Sequence, residues 1–173
     1  MTQNQKLTPK EFTRIFLPFA KVTESKTGIS ALATLAQSAV ESGWNSASPG
    51  WMFFGVKDTD GINGNEQLLI TTEYSRYSNL KFPEIISITP VVRNGIKMFK
   101  YKIKDYFRKY DSPEQCFTDH CNFYLRNPRY AKALLVKGDA NKFIDAIAAA
   151  GYATDPNYAA TLKTVVKMIE RNL

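Results

Sequence analysis

Two carboxylates and one histidine carry most of the chemistry this sequence offers. Glu41 lies within LATLAQSAVESGWN (Leu32 to Asn45), on the last turn of a helical stretch that Gly43 closes. The helix dipole is negative at that end and disfavours an ionised carboxylate. Either Glu41 is a solvated helix-end residue that tolerates a small penalty, or the penalty helps hold a proton on a general acid. In the second case the helix end and the following Trp44 both favour the neutral carboxyl. Glu73 stands among threonines in ITTEY, where hydroxyl donors and solvent favour the charged form; its plainer reading is one charge on the outward face of an edge strand. His120 and Asp119, in TDHCNFY, are candidates for a base, although a lone histidine on a helix is ordinarily structural and Asp119 equally suits a local hydrogen bond.

The elements that must position these residues are bounded by composition. At 173 residues the chain suits a single domain, 1–173, that buries roughly 70% of its extended surface on folding. A 44% hydrophobic fraction, with nine tyrosines and eleven phenylalanines, describes a globular core rich in aromatics. A net charge of +7 points to an anionic partner: nucleic acid, acidic lipid or an anionic wall polymer. KMFKYKIKDYFRKY (Lys97 to Tyr110) alternates basic with apolar residues, but no nucleic-acid recognition motif accompanies it, so no nucleic-acid partner is expected. Cys116 and Cys121 are five apart on one helix, about 140° around it, and read as free thiols. With one histidine and no cysteine cluster, neither a metal site nor any other cofactor is expected. No run approaches the ~20 apolar residues of a membrane span, and no leader pattern opens the chain.

Thr8-Pro9-Lys10-Glu11 has the form of a capping box and predicts a helix from about Thr8 to Ala20. A second helix is expected from Ser30 to Ser42. On its wheel Leu32, Leu35, Ala36, Ala39 and Val40 make an apolar side, and Thr34, Gln37, Ser38 and Glu41 share the other. From about 51 to 110 the helical period fades. QLLITTEYSRY and VVRNGIKMF alternate instead, and Asn94-Gly95 signals a hairpin. Ser112-Pro113-Glu114-Gln115 reads as another capping box, opening a helix that ends before Asn127-Pro128. Asp139 caps ANKFIDAIAAA, which Gly151 stops, and Asp155-Pro156 opens a last helix with Tyr158, Leu162, Val165 and Ile169 on one face. The expected fold is α+β: a mainly helical lobe with a small antiparallel β-lobe inserted at about 51–110, and a cleft between them.

AQSAVESGWN, FFGVK, LLITTEY, FRKYDSPEQCFTDHCNFYLRNPRYAKAL and AGYATDPNYAATL occur in an order that resembles the glucosaminidase domain of bacterial peptidoglycan hydrolases, glycoside hydrolase family 73. The resemblance covers roughly residues 31 to 169. It implies a lysozyme-like fold and cleavage of the β-1,4 bond after N-acetylglucosamine in peptidoglycan. Glu41 matches the family's catalytic acid, Glu73 the second carboxylate proposed on the β-lobe, and Tyr152 a tyrosine beside the acid. Phe54 and Tyr158 match positions lining the glycan groove. Met52-Phe53-Phe54-Gly55 stands where the family usually has Asn-Leu-Phe-Gly, so a polar contact at position 52 is lost or replaced, and the segment from Tyr74 to Tyr101 is longer than in many relatives.

The chemistry of the residues agrees. Glycoside hydrolysis needs a protonated carboxyl at the leaving oxygen and, usually, an ionised one to activate water or stabilise the transition state. A separation of about 6.5 to 9.5 Å implies inversion, and a wider one implies assistance by the 2-acetamido group. Trp44, Trp51, Tyr74 and Tyr77 are candidates for stacking on sugar rings, or members of the core. The expectation is an endo-β-N-acetylglucosaminidase that acts as a monomer on peptidoglycan strands. It would be made in the cytoplasm and delivered to the wall as a phage lysin or by a secretion machine. The alternatives are a muramidase or lytic transglycosylase on the same glycan, or a non-catalytic wall-binding or phage structural module.

Overall fold

A computed structural model describes residues 6–45 and 48–173; residues 1–5, the start of the stretch scanned above for a leader, lie outside it. The chain is α+β and divides into two compact units, Met1–Phe54 with Tyr110–Leu173, and Gly55–Lys109.

The first unit holds six α-helices among the described residues: α1 (Pro9–Thr27), α2 (Ala31–Ser42), α3 (Pro113–Arg126), α4 (Ala131–Leu134), α5 (Ala140–Ala149) and α6 (Tyr158–Glu170). The Thr8 capping box forms in full, with Glu11 Oε2 accepting from the Thr8 amide at 2.9 Å. α1 runs seven residues beyond the expected end at Ala20, through Pro18, because the sequence supplies no stop until Gly28, whose left-handed conformation (φ 72°) lets its N–H reach the Glu24 carbonyl. The Ser112 box forms by half. Ser112 Oγ accepts from the Gln115 amide, while Gln115 Oε1 turns to the Asp111 N–H at 2.9 Å. α6 begins at Tyr158 rather than at Asp155, since Asp155 Oδ1 accepts from the Asn157 N–H in a turn that leads into the helix.

α2 differs most from its sequence pattern. The wheel predicts one polar side, yet Thr34, Gln37 and Ser38 are as buried as Leu35 and Ala36. The helix packs against α1, α3, α5 and α6, so no full face is left for water. Its alanines permit that close approach, and its hydroxyls turn inward on the backbone, Thr34 Oγ1 donating to the Ser30 carbonyl and Ser38 Oγ to the Leu35 carbonyl. Aromatic rings fill the rest of this core: Phe12, Phe16, Phe53 and Phe117 are linked by centroid distances of 4.7 to 5.2 Å. Truncating one of them to alanine is expected to cost about 3–5 kcal/mol. Cys116 and Cys121 are free thiols in separate environments, Cys116 Sγ accepting from the Phe53 amide and Cys121 Sγ lying against Thr34 Oγ1. Burial pushes them up to about 12 and about 11, far from reactivity.

The second unit is a three-stranded antiparallel sheet in the order β1-β3-β2, with β1 Glu66–Ser75, β2 Glu84–Arg93 and β3 Ile96–Arg108. Asn94 and Gly95 both adopt positive φ, 51° and 74°, as the tight turn between β2 and β3 requires. Alternation along β3 buries Tyr101, Ile103 and Phe107 and leaves Lys100, Lys102 and Tyr106 exposed. The Tyr101 hydroxyl donates to the Tyr77 carbonyl at 2.7 Å, tying down the loop after β1. A bulge between Ile85 and Ser87 interrupts β2, and Pro90 removes one of its donors. Among the described residues no helix is long and apolar enough to cross a membrane.

Candidate active site

Glu41 sits on the last turn of α2, where the chain must reverse. Gly43 (φ 64°) and Trp44 (φ 63°) take the left-handed conformation, and their amides return to the Val40 and Ala39 carbonyls at 3.2 and 2.8 Å. The residue keeps an exposed side, but the atoms packed around its carboxyl strip away enough water to raise its pKa above the ordinary glutamate value. A hydrogen bond from the Tyr158 hydroxyl to Oε1, 3.4 Å long, acts in the opposite direction and is outweighed.

That tyrosine belongs to a buried polar chain. The Gln37 side chain, one helical turn before Glu41 on the same helix, donates through Nε2 to both the Tyr124 hydroxyl (2.8 Å) and the Tyr158 hydroxyl (3.1 Å). With its oxygen accepting from Gln37, the Tyr158 hydroxyl is left to donate towards Glu41. Tyr152 packs between them, its ring 5.6 Å from each of Tyr124 and Tyr158. Burial raises the pKa of all three phenols, and the Glu41 charge raises Tyr152 and Tyr158 further, so they stay neutral donors. Three segments thus converge on the last turn of α2, from Gln37 to Glu41: α3 brings Tyr124, the turn after α5 brings Tyr152, and α6 opens with Tyr158. Sequence reasoning missed Gln37 and Tyr124 as parts of the site. Gln37 carries a detectable signal, a polar residue four before the glutamate on one helix, whereas Tyr124 is indistinguishable in sequence from its core neighbours.

Phe54 lies face to face with His120, their centroids 3.7 Å apart and planes 9° off parallel. His120 is buried, its Nε2 has no hydrogen-bond partner among the described residues, and desolvation drives its pKa down to about 3, against a smaller opposing effect of Asp119. It is a neutral ring filling the space between Phe54 and Tyr152. Asp119 accepts from the Tyr110 hydroxyl at 2.7 Å. Trp44 packs edge-on against Phe12 at 5.4 Å and so is part of the core wall, while Trp51 is exposed. Among the described residues no group of three or more His, Cys, Asp or Glu side chains is arranged to hold a metal.

In the sheet unit Glu73 is half-buried on β1 and ion-paired at 3.0 Å with Lys57, which also pairs with Asp105 and lies over the Phe107 ring. Glu73 and Asp105 share one face of the sheet, since their cross-strand partners Tyr101 and Leu69 belong to the same alternating set. Desolvation lowers the Lys57 pKa, but the two carboxylates together raise it more, so the net shift is upward. Tyr74, the neighbouring residue, points to the opposite face, where the Arg93 guanidinium covers its ring at 4.6 Å. Tyr77 is exposed in the loop beyond.

A model of the glucosaminidase family, described as mannosyl-glycoprotein endo-beta-N-acetylglucosaminidase, matches residues 17–171. The chain belongs to the glucosaminidase family. Among relatives, it is 32% identical over 169 residues to the peptidoglycan hydrolase FlgJ of Salmonella typhimurium, covering 93% of this chain and 46% of that protein. It is 26% identical over 155 residues to the exo-glucosaminidase LytG of Bacillus subtilis, with 86% and 47% covered. The chain thus spans about half the length of these relatives. The C-terminally truncated glycoside hydrolase domain of Salmonella typhimurium FlgJ superposes with a TM-score of 0.69 at 30% identity, over 95% of this chain and 99% of that one. A mutant peptidoglycan hydrolase of Sphingomonas sp. A1 gives 0.62 at 27%, over 94% and 97%. The glucosaminidase fold is accordingly the lysozyme-like α+β arrangement that the sequence blocks imply.

Proposed function

We propose that this glucosaminidase cleaves the β-1,4 bond after N-acetylglucosamine within peptidoglycan strands, with Glu41 as the general acid. The observation that carries the reading is the environment of Glu41: a carboxyl whose pKa is raised by desolvation, with a neutral tyrosine donor on one oxygen. Because Tyr158 occupies Oε1, the transferable proton belongs on Oε2, free to meet the leaving glycosidic oxygen. As that proton departs, Glu41 becomes a carboxylate, and the Tyr158 hydrogen bond strengthens with the charge. It therefore favours the transition state over the ground state. Tyr152, neutral and beside this pair, keeps water from competing for the acid. Glu73, paired with Lys57, is the proposed second carboxylate, acting on the attacking water or on the oxocarbenium-like charge; the substrate's own acetamido group is the other means to that end. Phe54, half-buried with His120 against one side of its ring, offers apolar surface for the glycan, whereas Tyr158 is buried and serves through its hydroxyl on Glu41; Trp44, in the core wall, and Tyr74, under Arg93 on the face of the sheet opposite Glu73, are the weaker stacking candidates.

The test is mass spectrometry of borohydride-reduced digestion products from purified peptidoglycan. Reduced glucosamine ends are expected. Reduced muramic ends would make the enzyme a muramidase, anhydro ends a transglycosylase, and absence of products with retained glycan binding a silent wall-binding module.

A further inference from the structure

The middle of the sheet differs in charge between its faces, although Glu66 and Glu84 stand on the lysine side and Lys97 on the other. On the Glu73 face stand Glu73 and Asp105 around Lys57; three neighbouring transverse rows of the opposite face are centred by β3 on lysines. Lys100 lies between Tyr74 and Thr89, Lys102 between Thr72 and Ser87, and Lys104 between Ile70 and Glu84. Only the last row contains an acid, and Glu84 neutralises Lys104 at 2.9 Å. Lys100 and Lys102 are exposed and make no ion pair among the described residues. Arg93, also exposed, adds a third cation beside them over Tyr74. Alternate residues of a strand are about 7 Å apart, so Lys100 and Lys102 form a short cationic ladder flanked by the hydroxyls of Thr72, Ser87 and Thr89.

From this arrangement we infer that the lysine face of the sheet is a docking surface for a phosphodiester-linked polyol polymer borne by the cell wall. Cations spaced along a line with hydroxyl donors between them suit a chain that repeats its phosphates and carries hydroxyls. A nucleic acid fits less well. Single strands depend on open aromatic platforms for their bases; here the Tyr74 ring beside the lysines is closed by Arg93, and the exposed Tyr106 stands two rows beyond Lys102, past the neutralised Lys104. The face lies on the other side of the sheet from Glu73, so holding the polymer there leaves the Glu73–Lys57 pair uncovered and touches, of the proposed glycan contacts, only Tyr74, whose ring Arg93 already covers; that the polymer is wall-borne rests on the peptidoglycan reading above.

The experiment measures co-sedimentation of the full chain with purified walls that carry polyol-phosphate polymer, and with the same walls stripped of phosphodiesters by hydrofluoric acid. Wild type should bind intact walls in a salt-dependent manner and stripped walls at least tenfold more weakly. Arg93→Gln/Lys100→Gln/Lys102→Gln should lose about tenfold in affinity for intact walls and flatten the dependence on log salt by about two. Lys100→Arg/Lys102→Arg should bind as wild type does, which separates charge from packing. Full binding by the triple glutamine variant would overturn the inference. So would undiminished binding to stripped walls, or tighter binding of single-stranded DNA than of polyol phosphate at equal phosphate concentration. Hydrolysis of stripped walls should be the same for all three proteins; its absence from all of them would count against the peptidoglycan reading while leaving the binding result to be judged by itself.

Discussion

In the helical unit Glu41 ends a helix that is buried on nearly every side, and its carboxyl meets a cage of neutral hydroxyls and rings. In the sheet unit Glu73 stands on an edge strand, only Tyr101, Ile103 and Phe107 are well buried among the described residues, and the carboxylate meets a cation. At the first carboxyl the surroundings withhold water, and at the second they supply an ion pair. The first mechanism is inseparable from the core, so changing it disturbs fold and chemistry together. The second is local and solvent-screened, so it can be altered with little structural cost.

The largest effect expected from this contrast is at Glu41. Glu41→Gln keeps the shape and removes the proton, and turnover on peptidoglycan should fall by about 10² to 10⁴. Stability should move the other way. The folded pKa of Glu41 is raised above its unfolded value, so the wild type loses stability as pH climbs past the unfolded pKa, and the variant does not. Parallel turnover assays and thermal melts at pH 4 and pH 8 check both; near wild-type turnover would return Glu41 to a solvated helix end.

Gln37→Leu should be felt in both currencies. It removes the donor that the Tyr124 and Tyr158 hydroxyls share, at a cost of about 1–3 kcal/mol. It also releases the Tyr158 hydroxyl from its orientation towards Glu41, so the hydrogen bond that lowers the acid's pKa weakens. The alkaline limb of the pH–rate profile should therefore move to higher pH. A stability loss with an unmoved profile would show that the tyrosine chain is structural only.

His120 tests the same cage through pH alone. Its folded pKa of about 3 lies below the unfolded value near 6.5. Stability is therefore complete above about pH 6.5 and falls as pH drops towards 3, by up to about 1.4 kcal/mol per pH unit. His120→Phe, which keeps the stack on Phe54, should flatten the melting temperature across that window. An unchanged slope would place the acid sensitivity elsewhere.

The smallest effect belongs to the sheet. Lys57→Met removes the cation between Glu73 and Asp105, and because the pair is partly exposed the unfolding free energy should change by about 1 kcal/mol or less. Turnover should drop only several-fold. A loss comparable to that of Glu41→Gln would erase the distinction between the two sites.

Much of this was legible in the sequence where a single residue type enforces a local geometry. Thr8 and Glu11 announced the first helix, Asn94-Gly95 announced the hairpin, and alternation along β3 announced its two faces. Five ordered blocks pointed to the family that the comparisons establish. What escaped depends on distant partners. The polar stripe of α2 reads as a solvent face because a helical wheel cannot know that four helices will surround it, and the Gln37 link to Tyr124 and Tyr158 spans 87 and 121 positions. Lys57 and Glu73 sit in separate blocks, and no spacing rule joins a loop lysine to a strand glutamate.

The blunted margin of β2 has a consequence for how this molecule survives at high concentration. The strand lies at the border of the sheet and leaves Ile85, Ile86, Ile88 and Val92 exposed, a composition that ordinarily templates fibrils. The bulge at Ile85/Ser87 twists the border away from a flat ribbon, and Pro90 withholds an amide that an incoming strand would need. Two small defects, placed within six residues of each other, deny an oily ribbon the flat, fully donating edge that fibril growth requires.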